Sequence, residues 1–543
     1  MACITRQHIG KYTYLYESES FRDKQGRPRN KKTKIGKINP KTGREIYNEE
    51  YLDRMAQAGT PFAPLEPDPI PTDRTVKDLT REILASVRSY GGYYLLTGTA
   101  EKTGLLPVLS KTLPKVWQQI FNLACFMVAA GDPLMYCADW LSQTTMEGVK
   151  NLTSQRISEL FSYIQESDRN RFYNSWMEHV QEIDFIALDI TSISSYSKLM
   201  QLWEWGHNRD HENLPQINMC MLLGETTQLP IYQTIYRGSL KDVTTLQTTL
   251  KEVSLLWPDV KPKIVMDKGF FSKKNINAML LREQSEARWL FSFLLAVPFT
   301  SGYAKKVVAS EKKNIDTIEN TILTSEGAIR GVHKLRSWPG IEPKLHTFIY
   351  FNPTKAQKEK DELYAYVTEL KQVAEKDPVN KKLRPEFDKY LIIRNSSRRE
   401  DGYTINIRND VINKRLETSG WLVLVSNYID NAQKSIDIYR SKDFVEKGFN
   451  RLKNTFNLHR LRVHKDERTQ NKVFCGFIAL ILASAIDKTM KDHQLYSRYT
   501  MTELLRKVSQ IKMATVNGEK ILQPITKEQS TILKAFGMPK PVG

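Results

Sequence analysis

Cysteine is scarce in this chain of 543 residues: there are five, at Cys3, Cys125, Cys137, Cys220 and Cys475, with no CxxC pair among them. That scatter argues against a disulfide framework and against structural zinc. Long apolar runs are lacking as well. The longest, Phe474 to Ile486, is too short to span a bilayer and reads as a buried helix. No basic amphipathic helix stands out, so a membrane surface is not expected as a partner. The opening stretch MACITRQHIGKYTY holds no apolar signal core, and a cytoplasmic location is expected. Acids are in deficit: 61 Asp and Glu against 80 Lys and Arg leave a net charge of +19. That balance favours a polyanionic partner, nucleic acid first.

What is present is enough for several cores, with 41% hydrophobic residues over a length that suggests three to five domains. Residues 1–59 alternate extended segments with turns and read as a small β module of two hairpins. Between Arg22 and Arg44 it has ten Lys or Arg and one acid, Asp23, which points to phosphate contact. A Pro-rich linker (60–75) follows. Helical patterns fill 76–180 and suggest a DNA-binding or dimerising module. From Ile183 the texture changes to buried strands at 183–191, 215–223 and 229–236. A helix (240–257), a strand (263–267), a helix (272–283) and a strand (287–296) complete a mixed sheet with helices on its faces. That element order is the one used by RNase H-like cores. Residues 181–296 are therefore taken as its first part, 297–417 as an inserted subdomain, 418–488 as its second part and 489–543 as a helical C-terminal region.

The stretch YRSKDFVEKGFNRLKNTF, 439–456, follows the strand 420–426. At about 100° per residue, Tyr439, Lys442, Glu446 and Lys453 share one helical face. Val445, Phe449, Leu452 and Phe456 form a second stripe that packs on a core. A lone carboxylate cannot hold a catalytic metal, so Glu446 needs partners. Asp189 in FIALDIT and Asp267 at the end of KIVMD are the best candidates. An aspartate in so apolar a strand carries a desolvation cost of several kcal/mol unless paired or metal-bound. Three converging carboxylates suit a two-metal phosphoryl-transfer site, with Asp189 bridging and Asp267 and Glu446 each holding one ion. His207 and His211, in GHNRDHEN, have no third soft ligand and read as a loop.

The order LDITS, YRGSLKD, VMDKGF, GWLVLVSN and Y-x2-K-x3-E-x6-K resembles the bacterial insertion-sequence DDE transposases with a Tyr-Arg-Glu-Lys signature. The resemblance implies a catalytic triad of Asp189, Asp267 and Glu446 with two Mg²⁺ ions, Mn²⁺ serving as a substitute. It implies DNA contacts from Tyr439, Arg440, Lys442, Lys453, Tyr236, Arg237 and Lys268. Beside such a site the basic tract after Glu446, with Arg460 and Arg462, reads as a backbone clamp. Trp338 is its aromatic candidate for stacking a flipped base, against the competing reading of a Trp packed within the insertion. The implied activity is cut-and-paste transposition of an insertion sequence. The protein would bind terminal inverted repeats of double-stranded DNA as a homodimeric synaptic complex, free a 3′-OH and join it to target DNA, in the bacterial cytoplasm at the nucleoid. A domesticated DNA-binding protein without catalysis, or an RNase H-like nuclease without strand transfer, stays open. The sequence departs from the signature at Lys442, where arginine is expected; lysine keeps the charge and loses the bidentate fork.

Overall fold

The structure, a computed structural model, describes residues 3–10, 12–40, 43–58, 83, 86–146, 151–182, 184–196, 200–258, 261–281, 291–324, 327–395, 402–463, 465–516 and 519–541. Two compact units result, Met1–Arg81 and Glu82–Gly543. The linker expected at 60–75 lies outside the described residues.

The first unit is an antiparallel sheet of β1 (Cys3–Ile9), β2 (Tyr12–Arg22), β3 (Pro28–Ile38) and β4 (Glu45–Tyr47), in that order. The sheet starts earlier than the turn signals suggested, because β1 lies before the first basic hairpin. A helix that the sequence reading missed, Glu49–Gln57, begins where the Asn48 side chain accepts a hydrogen bond from the Tyr51 N–H. Its Tyr51 joins Leu15 and Ile35 in a small core. Gly36 is required here: a Cβ would stand 2.2 Å from the Ile46 carbonyl oxygen.

In the second unit, helices run from Gly91–Lys102 to Glu166–Val180, as the 3.6-residue patterning predicts. They pack around Asp466–Asp492, whose side chains from Val473 to Ala483 are all essentially inaccessible to solvent. This helix is apolar and long enough to cross a membrane, yet 89% of its most apolar window is buried inside the protein. It is the hydrophobic axis of the unit. The short strand β5 (Arg88–Ser89) later pairs with the C-terminal region.

Strands β6 (Phe185–Ser194), β7 (Gln216–Gly224) and β8 (Pro230–Arg237) form an antiparallel meander. Next, β9 (Lys263–Met266) adds parallel to β6, and β10 (Ser292–Ala296) adds parallel to β9. The three strands that follow, β11 (Thr321–Thr324), β12 (Gly327–Trp338) and β13 (Ile341–Phe351), extend the same sheet. Their link to β10 is β16 (Trp421–Ser426), antiparallel to both β13 and β10. The order across nine strands is β11-β12-β13-β16-β10-β9-β6-β7-β8. Along β9 and β10, Ile264, Met266, Phe293 and Leu295 face the larger core, whereas Val265, Leu294 and Ala296 face a smaller one. Both faces are thus covered, as near-continuous apolar runs require.

Two expectations change. Residues 297–417 are not one inserted body: 321–351 are sheet strands, because β13 has β16 as its hydrogen-bonding neighbour. Only 353–416 make a body with its own core, around Leu363, Val367, Phe387, Tyr390 and Ile405. It holds the helix Pro353–Lys376 and a hairpin, β14 (Leu391–Asn395) with β15 (Tyr403–Ile407). The C-terminal region is also not wholly helical. There β17 (Lys512–Val516) pairs with β18 (Glu519–Leu522) and with β5, closing a three-stranded sheet between distant parts of the unit.

Candidate active site

The parallel register pairs Leu188 of β6 with Met266 of β9, so the next residues, Asp189 and Asp267, stand side by side where β9 ends. Strand pairing thereby forces together two carboxylates that lie far apart in sequence. Asp189 accepts a 2.8 Å hydrogen bond from the Ile190 N–H. Burial pushes its carboxyl up to about 6, against the pull of the Arg209 and Lys442 charges, and the charge of Asp267 adds to the rise. Asp267 goes the other way. Burial acts to raise it, but Lys442, the Tyr439 hydroxyl and Lys268 together hold it below the ordinary carboxylate range. Tyr439 donates to Asp267 Oδ1 at 2.7 Å.

Lys442 is the hub of this cluster. Its side chain is 13% exposed, its Nζ lies 4.0 Å from Glu446 Oε1 and 5.3 Å from the Tyr439 ring centroid, and its charge acts on both aspartates. Three carboxylates therefore share one ammonium. Glu446 itself is 63% exposed, and among the described residues no three His, Cys, Asp or Glu side chains gather closely enough to hold an ion. The two aspartates are brought together; the glutamate is brought to Lys442.

The continuous helix expected over 439–456 divides into Ala432–Ser441, Asp443–Asn450 and a π turn, Arg451–Thr455. The N–H of Phe456 bonds the Arg451 carbonyl five residues back, at 2.9 Å, and the wider turn rotates later side chains off the shared face. Val445, Phe449, Leu452 and Phe456 are all buried, as their spacing predicts. Lys453 leaves the Glu446 face: it is 7% exposed and forms an ion pair with Asp210 at 2.7 Å. Replacing Lys453 with Met should cost about 1 kcal/mol of stability, since Asp210 keeps solvent access, and should leave DNA affinity within about twofold of wild type. Chemical denaturation and a binding titration check both halves.

Other expected contacts divide. Lys268, Arg237 and Arg462 are exposed, and Arg237 lies 3.5 Å from Glu204. Arg440 is half-buried and lines the cleft described below. Arg460 is held by Glu212 and lies over the Tyr196 ring. Tyr236 is not a DNA contact. It is buried, with its hydroxyl bonded to Thr249 at 2.7 Å and Glu252 at 3.3 Å, because the alternation along β8 turns it inward. Trp338 is also not displayed for a base. It is 5% exposed and sandwiched between Tyr303, at 3.8 Å, and Phe271, at 5.5 Å.

The loop 207–214, read as a mere connection, supplies what sequence reasoning missed. Its Arg209 salt-bridges Asp242 and acts on Asp189, Asp210 holds Lys453 and Glu212 holds Arg460. The dense alternation of charge in NRDHE was the available signal. A cavity of about 1310 Å³ opens from Asp267, Lys268, Tyr439 and Lys442 towards the 353–416 body, which contributes Lys355, Lys389, Lys414 and Arg415 to its wall.

An aspartate pair set at neighbouring strands of a mixed sheet, with Asp267 on the wall of a cleft rich in lysine and arginine, suits a DDE domain. The family of that description, the transposase DDE domain, matches residues 181–482, and the chain belongs to it. No curated protein matches the chain. Among solved structures it is similar to the piggyBac transposase synaptic complex with hairpin DNA, at 11% identity and a TM-score of 0.33, over 76% of this chain and 70% of that one.

Proposed function

We propose that the chain is a DNA-cleaving and strand-joining transposase that acts at the ends of a mobile element, with Asp189, Asp267 and Glu446 as its acidic triad. The observation that carries this reading is the adjacency of Asp189 and Asp267 beside Lys442, with Asp267 and Lys442 lining the cleft. The strand order β8-β7-β6-β9-β10, with β9 and β10 parallel to β6, supports the RNase H-like assignment.

The donor set fits a hard divalent cation: all its groups are carboxylate oxygens, and the two aspartates repel each other when both are charged. Asp189 and Asp267 would hold Mg²⁺, with Glu446 completing the set once its side chain turns from solvent. Bound there, a pair of ions supplies Lewis acidity to the attacking and leaving oxygens of a phosphodiester. The chain's own residues do the rest. Tyr439 fixes the orientation of Asp267 through its hydroxyl. Lys442 carries a positive charge among the acids and, through its flexible stem, can follow a phosphate that enters. Lys268, Arg440 and Lys355, Lys389, Lys414 and Arg415 of the 353–416 body outnumber its Glu359, Glu362 and Glu386 on the wall and offer the cleft cationic contacts for a DNA backbone. Two copies on paired element ends, working in a bacterial cytoplasm, complete the reading, with the departure at Lys442 from a Tyr-Arg-Glu-Lys signature.

Duplexes that carry the element's own terminal sequence test it. Mg²⁺-dependent nicking at the end, followed by joining of the new 3′-OH to a second duplex, is expected. Nicking that persists in excess chelator, or no nicking of an end the protein demonstrably binds, overturns the reading.

A further inference from the structure

The N-terminal sheet separates its charges by face. Along β2, successive side chains alternate between the two sides, and the pairing carries that alternation across the sheet. The side that holds Leu15 also carries Glu17, Glu19 and Phe21 of β2, Arg6 of β1, Arg29 and Lys31 of β3, and Glu45 of β4. The helix Glu49–Gln57 covers this side: Tyr51 packs on Leu15 and Ile35, and Arg54 salt-bridges Glu17. Arg6 is neutralised there by Glu45 at 2.9 Å. The opposite side carries Tyr12, Tyr14, Tyr16, Ser18, Ser20 and Arg22 of β2 and Asn30, Lys32, Lys34 and Lys37 of β3. Among the described residues of the strands it bears no carboxylate, and Arg22, Lys32, Lys34 and Lys37 are all exposed.

The sheet also narrows. Among the described residues, its outer strand β1 pairs β2 as far as Ser18, and β4 pairs β3 from Gly36 to Ile38. The pairs Glu19–Lys31, Ser20–Asn30, Phe21–Arg29 and Arg22–Pro28 thus form a two-stranded arm with no neighbouring strand among the described residues. Four such pairs extend about 13 Å at roughly 3.3 Å per residue, and the major groove of duplex DNA, about 12 Å wide, admits a two-stranded ribbon.

We propose that the acid-free side of this sheet is a duplex-DNA-binding surface, with the arm Glu19–Lys31 seated in the major groove. Lys32, Lys34 and Lys37 then neutralise backbone phosphates. Ser20, Arg22 and Asn30, which combine donors and acceptors on the same side of the arm, face the base edges. The covered side, with its acids, points away from the phosphates. This assignment rests on the DNA-processing function proposed above and adds which surface of the N-terminal unit grips the duplex.

The test uses the full chain and two double variants of equal charge change, Lys32→Glu/Lys34→Glu on the acid-free side and Arg29→Glu/Lys31→Glu on the helix-covered side. Affinity for an end-bearing duplex is measured over a salt series, with circular dichroism to verify the fold. The first variant should bind at least about 10-fold more weakly and lose about two units of salt slope, one for each phosphate contact; the second should change less than about threefold. Lys32→Ala/Lys34→Ala repeats the measurement with a milder change should the reversal disturb the sheet. Equal losses from both sides, or none from the first, overturn the proposal while leaving the cleft reading intact. Failure of the wild-type chain to bind any duplex instead removes the DNA reading itself.

Discussion

Asp267→Asn and Asp189→Asn are each expected to lower Mg²⁺-dependent strand cleavage by about 10²- to 10⁴-fold while leaving duplex binding within about threefold of wild type. The loss is that large because an amide keeps the shape of the carboxylate but supplies one neutral oxygen where a cation needs charge. A few kcal/mol of transition-state stabilisation, the order attributed to a bound metal, corresponds to two to four powers of ten in rate. Binding should survive, since the groups proposed to meet phosphate are cations that both variants retain: Lys268, Arg440 and Lys442 on the cleft, and Lys355 and Arg415 on its far wall. Single-turnover cleavage of a nicked-end substrate, beside an equilibrium titration, separates the two. Retained cleavage in either variant would remove that residue from the triad.

The aspartates were legible in the sequence because their signal is local: an acid inside an apolar strand run announces its cost without any knowledge of the neighbours. The order of strands and helices along 183–296 was legible for the same reason, from period and punctuation. What stayed hidden depends on partners. Whether Tyr236 and Trp338 face solvent or core is decided by which side of β8 and β12 is covered, and for Trp338 by Tyr303 and Phe271, neither of them adjacent in sequence. The π turn at Arg451–Thr455 changes the helical phase by a fraction of a turn, which a fixed 100° projection cannot register. It moves Lys453 from the face of Glu446 to Asp210. Residues 321–351 looked like an insertion because they follow a break in the pattern; their membership of the sheet rests on hydrogen bonds to β16, seventy residues further on.

Asp189→Asn carries a second expected result, opposite in sign to its effect on catalysis. In the folded chain the Asp189 carboxyl is pushed from an ordinary 3.8 up to about 6, first by burial and then by the Asp267 charge. Between those values the folded state holds a proton that the unfolded state has released, so stability falls as pH rises through this window and is lowest above it. A rise of this size corresponds to about 3 kcal/mol against the folded state at pH 8. The asparagine variant does not pay it. In chelator at pH 8 it should therefore be more stable than wild type by about 2–3 kcal/mol, and the two should converge below pH 4, where the wild-type carboxyl is protonated in both states. Asp267 has the opposite linkage, because its lowered carboxyl stabilises the fold at neutral pH and loses that contribution in acid; losing the Asp189 charge relieves Asp267 as well, which adds to the variant's advantage at pH 8. Denaturant titrations at pH 4 and pH 8 give the comparison directly. Mg²⁺ should then raise the wild-type midpoint and leave the variant nearly unmoved, since an ion that binds only the folded wild type stabilises it by mass action. A variant no more stable than wild type at pH 8 would mean that Arg209 and Lys442 already compensate the buried charge, and that Asp189 sits in the fold as a satisfied anion and not as one that a cation would relieve.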